Sequence, residues 1–199
     1  MKLVVIRHGL TEWNQQKRVQ GRIDKPLSSE GERQLASLYV PQELLGYRWF
    51  CSPLRRALQS IELLGISEFK VDHRLIEMSW GDWEGEVLKP LRKQLGVVMR
   101  LNEARGLDFR PPGGESPREL QSRLADWLKE VAESRQNCAV VAHKGVIRCL
   151  YSMATGWDMV GESPVDFAWD SAHQFDLGER GDLGHEYRTL SLQKSDSTG

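Results

Sequence analysis

Cysteine is scarce in this sequence: Cys51, Cys138 and Cys149 are the three in 199 residues. Each stands alone in an apolar stretch, which argues against a disulfide framework and for buried free thiols in a reducing compartment. The cytoplasm is the expected location. Long apolar runs are also missing. None approaches the ~20 residues needed to cross a bilayer, and the opening run Met1 to Ile6 is too short for a signal peptide, so no membrane partner is expected. An excess of one charge is absent too. The 27 basic and 28 acidic residues leave a net charge of -1, which gives no reason to expect nucleic acid as a partner. An acidic ligand would need a local positive pocket. Five histidines are present, yet there is no His-x-His, no His-Glu-x-x-His and no paired cysteine, so no metal site is expected. Neither a Walker loop nor a dinucleotide fingerprint occurs, and no cofactor is expected.

What is present is a chain with 40% hydrophobic and 28% charged residues, enough for a full core. Apolar runs at residues 3–6, 48–51 and 138–142 read as strands buried on both faces. Helical spacing fills the intervals. One helix is capped by Ser28 or Ser29 and runs to about Leu38, and another has Pro53 in its first turn. A third spans 119–133, and a fourth follows Gly145 and ends at Gly156. Residues 167–177 and 186–192 read as an antiparallel hairpin. The expected fold is α/β, a three-layer sandwich with a mainly parallel central sheet and a C-terminal antiparallel hairpin. One domain over 1–194 and a flexible tail over 195–199 are expected.

The charged residues follow the strands. Arg7-His8-Gly9 ends the first, Ser52-Pro53-Leu54-Arg55-Arg56 the second, and His143-Lys144-Gly145 the third. In a parallel sheet these strand ends share one edge, where ligand sites form. The order therefore favours a shared site with two histidines and at least two arginines, without identifying its reaction. His73, His173 and His185 read as loop or core residues.

Together these segments resemble the histidine phosphatase superfamily, also called the phosphoglycerate-mutase-like family. Residues 3–14 match its opening motif around Arg7, His8 and Asn14. The likeness continues through Arg18 to Asp24, Ser52 to Ala57, Glu77 to Gly85, Pro112 to Ser116 and His143 to Arg148, in the family's order. The resemblance implies that His8 is transiently phosphorylated and that Glu77 is the proton donor, with Glu84 a structural carboxylate. It implies a phosphate-binding shell of Arg7, Asn14, Arg56 and His143, bordered by Gln20 and Gly21. Lys144 departs from the pattern, where many members have a small residue. It either adds a phosphate contact or points to solvent, and solvent is the favoured reading.

These roles are chemically coherent. A neutral imidazole attacks phosphorus, guanidinium groups hold the phosphoryl oxygens, and a carboxyl protonates the leaving alkoxide and later deprotonates water. Trp80-Gly81-Asp82-Trp83-Glu84-Gly85 is similar to the phosphatase branch. A metal-independent phosphomonoester hydrolase of the histidine acid type, acting on a small phosphorylated metabolite, is therefore expected. A mutase, a phosphoprotein phosphatase and an inactive binding protein are the alternatives. Residues 86–110 should cover the pocket, where Lys89, Arg92, Lys93, Arg100, Arg105 and Arg110 offer recognition of a second anionic group, but the favoured reading is an ordinary amphipathic helix with Leu91, Leu95, Val98 and Leu101 inward. Trp13, Trp80 and Trp83 are candidates for pocket walls or core. The physiological substrate and oligomeric state stay open.

Overall fold

In the computed structural model, residues 1–194 are described, and the expected tail at 195–199 lies outside them. The strand β1 (Lys2–Arg7) places Leu3, Val4, Val5 and Ile6 almost wholly out of solvent. Alternation then divides them. Leu3 and Val5 face one apolar cluster, while Val4 and Ile6 face another on the opposite side of the sheet. This is why the run reads as continuously hydrophobic.

The remaining elements follow in order: α1 (Glu12–Gln15), α2 (Ser29–Ala36), β2 (Leu38–Tyr39), β3 (Arg48–Cys51), α3 (Arg55–Leu63) and β4 (Lys70–Val71). Next come α4 (Leu88–Leu95), α5 (Val97–Glu103), α6 (Pro117–Ala132), β5 (Cys138–Ala142) and α7 (Lys144–Thr155). The chain ends with β6 (Ser171–Leu177), β7 (Leu183–Ser191) and β8 (Gln193–Lys194). Six strands form a sheet in the order β4-β3-β5-β1-β6-β7. The pairs β4–β3, β3–β5 and β5–β1 are parallel, and β6 and β7 add antiparallel strands beside β1. The expected layered α/β fold is therefore observed. Helices α6 and α7 pack on the Leu3 face, and α3 with Leu35 of α2 on the Val4 face. Among the described residues, no helix is long and apolar enough to cross a membrane.

Several boundaries differ from expectation. Ser28 caps α2 by accepting from the Gly31 amide, but the helix ends at Ala36 because Leu38–Tyr39 pairs with β8. Pro53 precedes α3 instead of lying within it. Helix α6 starts two residues early, because Ser116 and Glu119 form a reciprocal capping box and Pro117 fits the first turn. The hairpin strand begins at Ser171, with Phe167 stacked on Trp169 before it.

The segment over the pocket differs most. Gly96, at φ 52° and ψ -115°, interrupts the expected helix and separates α4 from α5. A period counted across that break does not hold. Leu91 is buried and Leu95 half-buried, but Val98 and Leu101 are 68% and 67% exposed, correcting their inward assignment. Met99 takes the inner position, in a small cluster with Trp83 and Leu91.

Candidate active site

Parallel pairing aligns the C-terminal ends of β1, β3 and β5. The His8 amide donates to Ala142 O at 3.0 Å, and the Ser52 amide to Val141 O at 3.0 Å. The loops after the three strands therefore leave the sheet side by side. His8 and His143 come to 5.2 Å between ring centroids, both buried.

His8 Nδ1 lies 2.7 Å from its neighbour's carbonyl, Gly9 O. Only a donor can satisfy a carbonyl, so Nδ1 carries the proton and Nε2 keeps its lone pair. Burial pushes the ring's pKa well below the ordinary histidine value, and the Arg56 and Arg7 charges push it further. The imidazole is thus neutral at physiological pH. His143 is shifted down likewise, first by burial and then by Arg56. Its Nε2 is 2.6 Å from Ser52 Oγ, which also accepts from the Leu54 amide at 3.4 Å. If the hydroxyl proton goes to Nε2, Nδ1 becomes the N–H donor of the ring.

Arg56 is wholly buried on the first turn of α3. Its terminal nitrogens donate to Gly21 O at 2.8 Å and Ile23 O at 3.0 Å, which fixes the guanidinium. Gly21 has φ +51°, and a Cβ there would lie 2.0 Å from Glu84 Oε1. Glu84 itself accepts from the amides of Arg22, Ile23 and Trp80 at 2.9, 3.1 and 3.0 Å. Those bonds tie two loops together, as the structural reading of Glu84 expects. Asn14 Oδ1 accepts from the Thr11 amide, leaving the amide NH₂ as its free donor group.

Glu77 accepts from the Met78 amide at 2.8 Å through Oε1 and from the Gly145 amide at 3.1 Å through Oε2. The second bond joins it to the first turn of α7, whose backbone amides lack partners within the helix. Behind it, Arg123 donates to Ile76 O at 2.7 Å and to Glu115 Oε1 at 2.8 Å. That brace holds the Glu77 loop against α6.

A cavity of about 800 Å³ opens over these groups. Arg7, His8, Asn14, Gln20, Gly21, Arg56, Glu77 and Lys144 line it, with His143 buried beside His8. All nine candidate residues therefore gather at one place. Trp80 lines it too, whereas Trp83 packs in the core and Trp13 lies under Lys25. Lys144 is exposed at the cavity, which it lines, with Nζ 4.9 Å over the Trp169 ring. His73 and His185 are exposed, and His173 is buried against the Tyr187 hydroxyl at 2.8 Å. Among the described residues, buried polar atoms without a partner include Arg7 Nε, Arg56 Nε, Gln20 Oε1 and His143 Nδ1. Three of these can be donors, on residues that line the cavity or sit beside it, and unpartnered donors there suit an oxyanion.

Sequence reasoning missed Ser52 and Trp169. Ser52 follows its strand as His8 and His143 follow theirs, so its position was a usable signal. Trp169 lies far along the chain, and nothing local marks it. The three cysteines are free and buried, and burial pushes the Cys51 and Cys138 thiols up to about 12. Among the described residues there is no group of three or more His, Cys, Asp or Glu side chains arranged to hold a metal.

A sequence profile described as the histidine phosphatase superfamily (branch 1) matches residues 3–173. Phosphoserine phosphatase 1 of Hydrogenobacter thermophilus is 31% identical over 169 residues, covering 80% of this chain and 78% of that protein. A probable phosphoglycerate mutase of Salmonella paratyphi B is 30% identical over 162 residues, covering 78% and 75%. The solved structure of mycobacterial glucosyl-3-phosphoglycerate phosphatase with VO3 superposes with a TM-score of 0.73. It is 26% identical, with 98% of this chain and 99% of that one covered.

Proposed function

The chain belongs to the histidine phosphatase superfamily, and from that premise we propose a metal-independent phosphomonoester hydrolase working through phosphohistidine at His8. Its substrate is a small phosphorylated metabolite. The observation that carries the reading is the neutral His8 ring, its Nδ1 anchored to Gly9 O at 2.7 Å, among the guanidinium groups of Arg7 and Arg56.

In this reading Nε2 attacks phosphorus and forms the N–P bond as the ester P–O bond breaks. The departing alkoxide takes a proton from the Glu77 carboxyl. Arg7, Arg56, Asn14 and His143 Nδ1–H hold the phosphoryl oxygens, with the Gln20–Gly21 loop at the border, and spread the charge that develops there. Water then attacks the phosphohistidine and loses its proton to Glu77, the N–P bond breaks, and neutral His8 returns. The names of two relatives, a phosphoserine phosphatase and a glucosyl-3-phosphoglycerate phosphatase, support hydrolysis of small esters. The mutase-named relative supports phosphoryl transfer within a phosphoglycerate as a second reading.

The test is release of inorganic phosphate from a panel of small phosphomonoesters with a chelator present, for the native enzyme and His8→Ala. Release that survives chelation and falls by at least ~10⁴-fold in the variant is expected. Isomerised phosphoglycerate with negligible phosphate release would favour the mutase instead.

A further inference from the structure

Arg7 and Arg56 share the phosphate-binding role but are held differently. Arg56 is fixed by the Gly21 and Ile23 carbonyls. Arg7 makes no side-chain hydrogen bond or ion pair among the described residues, and its buried Nε has no partner. Burial pushes its pKa down, and the nearby Glu77 charge opposes that shift. Glu77 itself accepts from the Met78 and Gly145 amides, not from Arg7. What Arg7 does have is an indole: its Cζ lies 5.4 Å from the centre of the Trp169 ring.

The sheet puts Trp169 there. Ile6 pairs with Ala172 in antiparallel register, so the residues leading into β6 pass the end of β1, where Arg7 stands. The Ser171 amide donates to Ala168 O at 3.0 Å, a turn that fixes the chain on both sides of Trp169. The indole is wedged in place. It stacks on buried Phe167 at 5.0 Å and 25°, and lies 5.8 Å from the His173 ring, which is bonded to the Tyr187 hydroxyl. Phe167 in turn meets Tyr151 of α7 edge-on at 5.3 Å. Lys144 Nζ shares the indole at 4.9 Å. A cation–π contact restrains a guanidinium without an acceptor oxygen competing for its N–H groups, which stay available to a phosphoryl group.

We propose that Trp169 is a positioning residue of the phosphate site, holding the Arg7 guanidinium so that its N–H groups face the phosphoryl oxygens. Trp169 does not line the cavity; it acts through Arg7, as the two carbonyls act through Arg56. A guanidinium already set in place loses less side-chain freedom when the oxyanion binds. This rests on the phosphomonoester reading for what Arg7 binds.

Orthovanadate, which binds without turnover, is the probe, and its affinity is measured by calorimetry on the full chain. Tryptophans carrying one, two or three ring fluorines are placed at position 169 by amber suppression, which keeps the shape of the ring while weakening its negative face. Affinity should fall with each fluorine, by ~10-fold over the series. Trp169→Leu should lose at least as much, and Trp169→Phe should fall between. In Arg7→Gln protein the series should be flat within ~2-fold, and in Lys144→Gln protein it should persist. A flat series with Arg7 present overturns the proposal. So does a series equally steep in Arg7→Gln, or one abolished by Lys144→Gln, which would assign the indole to the lysine. Phosphate release from esters is measured alongside. A fluorine-dependent affinity in a protein that hydrolyses no ester keeps the positioning role and removes the hydrolase reading; a flat series in an active hydrolase does the reverse. Absence of orthovanadate binding overturns both.

Discussion

The floor of the cavity and its cover are built on different principles. Most of the floor comes from the ends of three parallel strands whose registers are fixed by the sheet, and two of its charged groups are held by backbone. Arg56 is fully buried and bonded to two carbonyls, and Glu77 is bonded to two amides. The cover is two short helices hinged at Gly96, and its cations are exposed or paired with acids of the surface. Chemistry that needs fixed positions belongs on the floor, where preorganised groups are worth most. The cover can vary without disturbing that geometry.

That comparison breaks if substitutions in the two regions have similar effects. Glu77→Gln keeps the shape of the side chain and removes its proton, and should lower kcat by ~10²–10⁴-fold in steady-state phosphate release. A smaller effect would give the proton to another group.

The buried histidines near the floor predict a pH dependence of stability. His173 is pushed down to about 4 by burial and by Arg7. Its unfolded form takes up a proton near pH 6.5, so the unfolded state binds more protons as pH falls. The contribution is complete above that value and is lost as pH drops toward 4. Between pH 6.5 and about 5 the loss is on the order of 2 kcal/mol from this residue. His8 and His143 act in the same direction. Urea unfolding across that range should show stability falling with pH, with a shallower slope in His173→Gln.

On the cover the effects should be small. Leu101→Gln, at an exposed position, should change kcat/KM less than ~2-fold and stability by within ~0.5 kcal/mol. A larger loss would mean that α5 acts directly on the bound ester.

Much of the floor was legible in the sequence, and for one physical reason. Strands buried on both faces must be continuous apolar runs, and the residue after each run has to stand at the sheet edge. His8 and His143 could be placed together in this way before any resemblance was considered, and the motif order then supplied Glu77, Asn14, Gln20 and Gly21. Less was legible where partners are distant in sequence. The Leu38–Tyr39 strand exists because residues 193–194 pair with it, and no local pattern announces that. The apolar residues Val98 and Leu101 matched a helical period, but Gly96 at φ 52° reset it. The four-residue spacing of Lys144 and Arg148 was visible, yet their indole supports come from residues 169 and 157.

The central claim is a covalent phosphoryl bond to His8 Nε2. The most direct measurement is rapid alkaline quench of the enzyme during turnover of an ester, followed by peptide mass spectrometry that preserves acid-labile N–P bonds. The account predicts a phosphoryl group on His8, absent from His8→Asn and accumulating when water attack is slowed. Turnover with an unmodified His8 and a phosphoryl group on another residue would contradict it.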